Sequence, residues 1–358
     1  MGQRRQIVFP LDIPFVADGN YPYFLADHTE SLASVHFSLH DPSVADARQC
    51  MDRIDRETII SGLKKLDGVA RFLLMNARLH APDKYFNASG LATTAHRLET
   101  LLDSVDLNGI IFADPYFIQA FSDTYPDIAA RLEAVPSVNA NLDSADKAFA
   151  MLDMIDGTAF KTPTRLVLDR SLNRDIQRLA KTSARLRKAC PNMKLHLLAN
   201  EGCLFQCPYK PAHDAHRAMV NEGLCPEHTF AMNRDFGCVR RLLDNPGSML
   251  TSPFIRPEDM ERYEPHVDGI KLCGRTKGAA FLKRILAAYL KGEYTGNLLD
   301  LMDAMGDLSD RVTIPNHCLP NDFADHVTTC AKDCRKCNWC AALMETTATR
   351  NDPDLIRL

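Results

Sequence analysis

Short apolar runs alternate along most of the chain with longer segments that have helical periodicity. The apolar runs predict strands at 34–39, 71–78, 109–114, 134–140, 165–169, 194–200, 248–253 and 268–274, with a further strand in the opening MGQRRQIVFPLDIPFV. Between the runs, apolar residues recur at helical spacing in segments such as DRETIISGLKKL, TTAHRLETLLDSV, SADKAFAMLDMI and NRDIQRLAKTSARLRKA. Alternation of this kind predicts an α/β fold with a parallel sheet.

About eight strand–helix units in roughly 250 residues match the size of a TIM-like (β/α)8 barrel. A doubly wound open sheet is the alternative, but the chain has no glycine-rich dinucleotide fingerprint and no phosphate-binding loop. The alternation ends near residue 295. We therefore predict a barrel domain over residues 1–294 and a C-terminal helical, cysteine-rich appendix over residues 295–358.

The composition is that of a folded globular protein, with 46% hydrophobic and 25% charged residues. A formal net charge of −4 gives no overall attraction to nucleic acid or to membranes. No apolar stretch is long enough to span a bilayer, and Pro10, Asp12 and Pro14 interrupt the apolar start, unlike a signal peptide. We expect a cytoplasmic protein without membrane insertion. The basic segment at 173–189 is expected to be an outer barrel helix with a solvated face.

Cysteine placement is the most informative chemical feature of the chain. Most of the twelve cysteines lie beyond residue 200, and many cysteines without an export signal indicate metal ligation rather than disulfides. Closely spaced thiolates can converge on one metal ion or cluster. The candidate ligands form a group after residue 200 and a denser group near the C-terminus, namely Cys203, Cys207, Cys225 and Cys238, and then Cys330, Cys334, Cys337 and Cys340, with Cys318 as a further candidate. Cys50 and Cys190 are expected to be packing residues.

Barrel active sites lie where the strands end, so polar residues at those positions are candidates for catalysis. Glu201 follows one predicted strand, and Lys271 and Arg275 lie in or after the last one. His213 and His216 are three residues apart and would share a helix face, as a proton relay or substrate contacts, or as a solvated surface. Further polar residues at strand ends are Asp114, Asn139, Asn141, Asp143, Asp169, Arg170 and Asn200.

The segment RPEDMERYEPHVDGIKLCGRTKGAAFLKRILAAYLKGEY resembles the hallmark stretch of the collagenase-like peptidases, family thirty-two among peptidases of unassigned mechanism. RLVLDRSLNRDIQRLAK and PSVNANLDSADKAF resemble two more family segments in the same order, so the resemblance covers roughly residues 130–295. It implies a TIM-like barrel. In relatives with a four-cysteine iron–sulfur cluster the ligands begin after the strand that here ends at Asn200, which implies the group that starts at Cys203. The family's Glu-Gly-Arg is Cys273-Gly274-Arg275 here.

The residues around the cysteines limit which metal centre they would bind. Cys207 and Cys225 are each followed by proline, which is common beside iron–sulfur clusters. Spacing alone does not separate zinc from iron–sulfur in the C-terminal group. Cys330, Cys334 and Cys337 match the spacing of radical S-adenosylmethionine enzymes, in which the motif stands near the start of the barrel instead. The chain has no His-Glu-x-x-His and no Gly-x-Ser-x-Gly motif.

Together these features predict an iron–sulfur-dependent barrel enzyme that modifies an organic substrate, by oxygen-independent hydroxylation or a related redox reaction. The predicted cofactors are one or two 4Fe–4S clusters, with Zn²⁺ at the C-terminal cysteines as the alternative. The predicted substrate is a small molecule or a nucleobase, and the predicted partner is an electron donor or the other half of a heterodimer. Two alternatives remain: a non-catalytic electron-transfer or zinc-stabilised partner subunit, and a peptidase.

Overall fold

The fold is known from a computed structural model, which describes residues 9–41, 44, 46–48 and 54–351. Cys50 and the end of the predicted appendix, residues 352–358, lie outside these ranges. The described part of the chain forms an eight-stranded sheet in the order β5-β4-β3-β2-β1-β8-β7-β6, in which all paired strands are parallel. The strands are β1 Leu11–Pro14, β2 Leu32–Phe37, β3 Ala70–Met75, β4 Gly109–Phe112, β5 Glu133–Pro136, β6 Arg165–Leu168, β7 Lys194–Leu198 and β8 Gly269–Lys271.

The sheet is nearly closed into a barrel. Between the edge strands β5 and β6, the backbone N–H of Ala134 donates to the carbonyl of Lys161 over 3.2 Å. The N–H of Lys161 donates in turn to the carbonyl of Leu132 over 2.9 Å. These bonds bring the two edges together just before β6 begins, and the predicted (β/α)8-like barrel is confirmed.

Helices surround the sheet and continue beyond it. Their bounds are α1 Tyr21–Ala26, α2 Arg56–Leu63, α3 Asp83–Phe86, α4 Ala88–Val105, α5 Pro115–Thr124, α6 Pro126–Ala129, α7 Ala145–Asp156, α8 Ile176–Ala189, α9 Lys210–Asn221, α10 Thr229–Asp235, α11 Cys238–Asp244, α12 Gly247–Leu250, α13 Gly278–Lys291, α14 Phe323–Thr329 and α15 Trp339–Thr347. A short antiparallel pair joins β9 Val312–Thr313 to β10 Thr349–Arg350. None of the described helices combines the length and the apolar character needed to cross a bilayer.

Local sequence explains where these helices begin and which face they bury. Asp114 precedes α5, and its carboxylate accepts hydrogen bonds from the backbone N–H groups of Tyr116 and Phe117. Helix α8 buries Leu179 and Leu186 against the barrel, while its basic residues lie on the outer side. The prediction of an outer barrel helix is therefore confirmed for residues 176–189, whereas Arg174 precedes the helix and is buried.

The predicted strand at 248–253 is wrong, because this segment begins with the helical turn α12. Met249 and Leu250 in this turn are fully buried. A short apolar run fits either a buried strand or a buried helical turn, so periodicity alone could not separate them. The eighth strand of the sheet is instead β1, in the N-terminal segment.

Two segments cover the mouth of the barrel. One is the long connection from β7 to β8, which contains helices α9 to α12. The other follows residue 295: the side-chain amide of Asn200 donates to the carbonyls of Cys273 and Leu301, both over 3.0 Å. The N–H of Asp303 donates to the carbonyl of Asn200 over 2.9 Å. The start of the predicted appendix thus packs on the ends of β7 and β8, while the domain boundary at 294/295 stays a prediction.

Candidate functional site

A pocket of about 570 Å³, including space open to solvent, lies where the strands of the barrel end. This is the position at which barrel enzymes bind their substrates. Its apolar floor includes Leu74, Ile111 and Leu198. Its polar lining comes from several strands and from the segments above them, and includes His36, Arg48, Ser137, Asn139, Glu201, Lys271, Cys273, Arg275 and Asp303.

Two arginines of the pocket are held in place by carboxylates. Arg48 forms an ion pair with Asp303, and Arg275 forms one with Asp46. The carboxylate of Asp46 also accepts from the backbone N–H of Arg48 over 2.6 Å, which ties the two pairs together. Because the carboxylates of Asp303 and Asp46 are buried, they hold the two guanidinium groups at the rim of the pocket.

Glu201 is bound to a third arginine. Arg170 Nε lies 2.6 Å from Glu201 Oε2, and both side chains are buried. Another nitrogen of the same guanidinium donates to the side-chain oxygen of Asn139 over 3.3 Å. The ion pair fixes Glu201 at the wall of the pocket, where it contributes to the negative charge around the neighbouring thiols.

Lys271 is the unusual group of this pocket. The pKa of its amine is lowered to about 8, chiefly by burial. The charge of Asp12 opposes this shift, whereas Arg165 and Arg275 add to it. His36 lies nearby, and burial followed by the charge of Lys271 holds the pKa of His36 well below its ordinary value. The imidazole is therefore neutral near pH 7. Its Nδ1 has no hydrogen-bond partner within the described part of the chain.

A layer of buried charge lies inside the barrel around Asp12 of β1. The Asp12 carboxylate accepts from Ser34 Oγ over 2.5 Å and from Arg165 over 2.7 Å, and it is paired with His196 Nδ1. Burial alone would raise the pKa of Asp12, but His196, Arg165 and Lys271 outweigh burial and hold that pKa well below its usual range. The barrel interior thus contains an ionised carboxylate close enough to Lys271 to act on its charge.

Sequence reasoning missed this buried layer. The signal was present as single polar residues at every second position of otherwise apolar strands, in LDIP, SVHF and KLHLL. In a parallel sheet covered on both faces, such alternation indicates polar side chains that point into the barrel.

The thiols next to the pocket are protonated. Burial raises the pKa of Cys273 well above its ordinary value, and the charges of Asp303 and Glu201 raise it further. Burial and Glu201 have the same effect on Cys203. Since a thiolate and not a thiol is the nucleophile, neither cysteine is activated for attack here.

The five predicted catalytic residues separate into two places. Glu201, Lys271 and Arg275 line the barrel pocket together, as expected. His213 and His216 line a different pocket between α9 and α10. There, His216 Nδ1 lies 3.0 Å from the hydroxyl of Thr229, and burial lowers the pKa of His213 to about 4.

The first cysteine group is partly assembled. Cys203 and Cys207 line a third pocket beside Lys210. Burial raises the pKa of Cys238, and the nearby Cys207 raises it further. Cys225 is half-buried in the loop between α9 and α10.

The C-terminal cysteines at 330, 334, 337 and 340 lie close enough together to affect one another's ionisation. The pKa of Cys340 is raised to about 11, first by burial and then by Cys334, Cys330 and Cys337, while Arg174 lowers it. Cys318 is exposed in the turn after β9. In residues 9–41, 44, 46–48 and 54–351, no three His, Cys, Asp or Glu side chains converge as metal ligands. The ligand assignments of both groups stay predictions.

The chain is similar in sequence to one known protein and, more weakly, in fold to a solved structure. No family model matches the chain. The chain is 30% identical over 247 residues to an uncharacterized protease of Methanocaldococcus jannaschii, an alignment that covers 68% of this chain and 67% of the relative. The solved structure of a U32 peptidase aligns with a TM-score of 0.48 at 12% identity, over 76% of this chain and 94% of that one.

The similarity to a protease overturns the main functional prediction, an iron–sulfur-dependent hydroxylase or related redox enzyme. Cysteine spacing shows that thiolates can converge, but it does not assign the reaction to them. The charged groups that line the barrel pocket are an amine, two guanidinium groups and two carboxylates. The peptidase, the second alternative from the sequence, fits the comparison better.

Proposed function

The chain belongs to the collagenase-like peptidase family, U32, and from that membership we propose that it hydrolyses peptide bonds in the pocket at the barrel mouth. The observation that carries the proposal is the buried amine of Lys271 in that pocket. Its pKa of about 8 leaves roughly a tenth of the side chains neutral near pH 7, far more than for an exposed lysine. A neutral amine can act as a general base.

In the proposed reaction, Lys271 takes a proton from the water whose oxygen attacks the peptide carbonyl carbon. The protonated amine then gives this proton to the leaving nitrogen as the C–N bond breaks. No group is oxidised or reduced, and water is the only co-reactant. A lysine base is used in this way by other hydrolases, where it activates a serine.

Arg48 and Arg275 supply the positive charge that such a reaction needs. Negative charge develops on the carbonyl oxygen during attack, and fixed cationic donors stabilise it. The ion pairs with Asp303 and Asp46 hold both guanidinium groups before substrate arrives, which reduces the reorganisation needed during the reaction.

Water is a better nucleophile for this site than a cysteine. Cys273 lines the pocket but keeps its proton, because burial and two nearby carboxylates raise its pKa. The proposal therefore differs from a cysteine peptidase in a testable way: alkylation of Cys273 would hinder access by its bulk, whereas Cys273→Ala would leave hydrolysis largely intact.

The test is hydrolysis of a mixed fluorogenic peptide library by the wild-type chain and by Lys271→Met, which keeps most of the length of the side chain without a titratable amine. We expect Lys271→Met to reduce the rate roughly 100-fold or more, the usual contribution of a general base. The wild-type rate should rise with pH up to about pH 8, as Lys271 loses its proton.

Lys291→Met is the matched control, because this lysine is exposed at the end of α13 and outside the pocket. It should cleave the library at the wild-type rate. Equal cleavage by Lys271→Met and wild type would refute the role of Lys271. No cleavage of any peptide by the folded wild-type protein would refute the peptidase assignment itself.

A further inference from the structure

A buried arginine without an acidic partner lies beneath the C-terminal segment. Arg174 follows β6 and is only 1% exposed. Its guanidinium donates to the carbonyl of Thr251 and lies 5.3 Å from the ring centroid of Phe205. Its Nε has no hydrogen-bond partner, and no carboxylate in the described part of the chain forms an ion pair with it. The remaining contact, at 3.8 Å, is from Nη2 to Cys330 Sγ.

Such a charge needs compensation. A guanidinium stays charged in proteins, and a buried charge is strongly unfavourable without a counter-charge. Other buried arginines of this chain follow that rule: Arg170 is paired with Glu201, and Arg256 with Asp259. Arg174 differs from them because a sulfur atom stands where they have a carboxylate.

A neutral thiol cannot supply the missing charge, since it is only a weak acceptor. Thiolates can. Cys330 directly follows α14 and Cys340 lies in the first turn of α15, with Cys334 and Cys337 between them. Four thiols in so short a segment can bind one metal centre, and metal binding removes their protons.

We propose that Cys330, Cys334, Cys337 and Cys340 bind one metal centre as four thiolates, with Arg174 as its buried counter-charge. Four thiolates around Zn²⁺, or around a 4Fe–4S cluster in its +2 state, leave two negative charges, so either centre suits the arginine. Cys334 and Cys337 are exposed and would move toward the two outer cysteines when the metal binds.

The helices that carry the outer two ligands are already anchored. The Trp339 ring stacks on His326 at a centroid distance of 3.8 Å and packs against Phe323 at 6.1 Å, which joins α15 to α14. Helix α15 also packs on α12, where a Cβ at Gly247 would come within 2.9 Å of Ala341 Cα. The metal centre would therefore bind between two helices that already have fixed positions, and it would not take part in the peptidase reaction.

The first experiment is metal analysis of the full chain, purified without oxygen. Zinc, iron and acid-labile sulfide are measured for the wild type and for the double variant Cys334→Ser/Cys337→Ser. Both sites are exposed, so the fold should be kept, as checked by circular dichroism. We expect the double variant to lose one centre: one zinc, or iron together with sulfide and its visible absorbance. All barrel cysteines are present in both proteins, so the difference reports on the C-terminal site alone.

Cys318→Ser is the matched control, an exposed cysteine outside the proposed set, and should keep the full metal content. Equal metal content in the wild type and the double variant would overturn the site. Loss of metal in Cys318→Ser would overturn the assignment of the four ligands.

The second experiment tests the counter-charge. Arg174→Met should release the metal to a chelator roughly tenfold faster or more, the usual effect of losing a group that supports the ligands. Arg174→Lys, which keeps the charge, should lie closer to the wild type. Unchanged release from Arg174→Met would overturn the role of Arg174. Should Arg174→Met fail to fold, roughly tenfold faster metal release from Arg174→Lys than from the wild type would overturn the counter-charge role, because Arg174→Lys keeps the charge.

Discussion

The barrel mouth and the C-terminal cysteine segment differ in how their buried charges are neutralised. In the mouth, each arginine faces a carboxylate from a distant part of the chain: Arg48 meets Asp303, and Arg170 meets Glu201. In the C-terminal segment, the buried Arg174 has no carboxylate partner among the described residues and lies against the thiol of Cys330. The arginines of the mouth are thus neutralised by protein carboxylates, whereas the proposed counter-charge of Arg174 is a metal centre bound by thiolates.

This difference separates two kinds of function. A site whose charges are already paired can bind and act on a substrate at once, because its groups are preorganised. A site with an unpaired buried charge gains stability when a ligand of opposite charge binds, and the binding free energy then belongs to folding.

The largest effect is expected from Asp12→Asn, which removes the carboxylate shared by Ser34, Arg165 and His196. Losing one partner of a buried ion pair leaves the other charge uncompensated, so the free energy of unfolding should fall by roughly 3 to 5 kcal/mol. Urea denaturation measures this loss of unfolding free energy. Asp307→Asn is the control, because it breaks only the surface pair with Lys277 and should lower the free energy of unfolding by about 1 kcal/mol or less. A similar loss in both variants would show that the barrel interior does not depend on Asp12.

The next effect is a dependence on pH that comes from Lys271. Its pKa is about 8 in the folded protein and about 10.4 in the unfolded chain, so the unfolded chain holds the proton more tightly. Stability is therefore lowest below pH 8 and rises as pH increases from about 8 toward 10.4. Relative to Lys271→Met, the free energy of unfolding of the wild type should increase by roughly 2 to 3 kcal/mol between pH 7 and pH 10.

Urea denaturation of both proteins at the two pH values measures this gain, and the comparison cancels other groups that titrate. A constant difference between the two proteins would mean that Lys271 has an ordinary pKa. In that case the amine would be protonated near pH 7, and the proposed general base would be lost with it.

The fold could be predicted because its signals are local. Alternating apolar runs and helical segments, with turns between them, indicate a barrel without knowledge of which strands meet. Glu201, Lys271 and Arg275 could be placed in one pocket for the same reason, since each follows or ends a strand and strand ends converge. Their catalytic role stays a prediction.

The rest of the pocket could not be found in this way. Arg48 and Asp303 of the pocket, and Asp46 that pairs with Arg275, come from irregular segments that become neighbours only when the barrel closes. His213 and His216 have a clear helical spacing, but spacing does not say which pocket a helix faces. The predicted redox reaction was wrong because short cysteine spacing indicates what the thiols can bind, and not which reaction the barrel pocket catalyses.

The smallest effect concerns the contact between the two regions. Gly247 in α12 lies so close to Ala341 in α15 that a Cβ would stand 2.9 Å from the Ala341 Cα, closer than real Cβ atoms approach. Gly247→Ala should push α15 outward and cost about 1 to 2 kcal/mol, as overpacking does. Gly306→Ala is the control, because its added Cβ would meet its nearest neighbour at 3.5 Å, an ordinary contact. Limited proteolysis should then cut Gly247→Ala first within residues 330–340, with Gly306→Ala cut as slowly as the wild type. Equal resistance in all three would show that α15 can shift on α12 without loosening the cysteine segment, and that this segment is held by its contacts with α14 and with Arg174 instead.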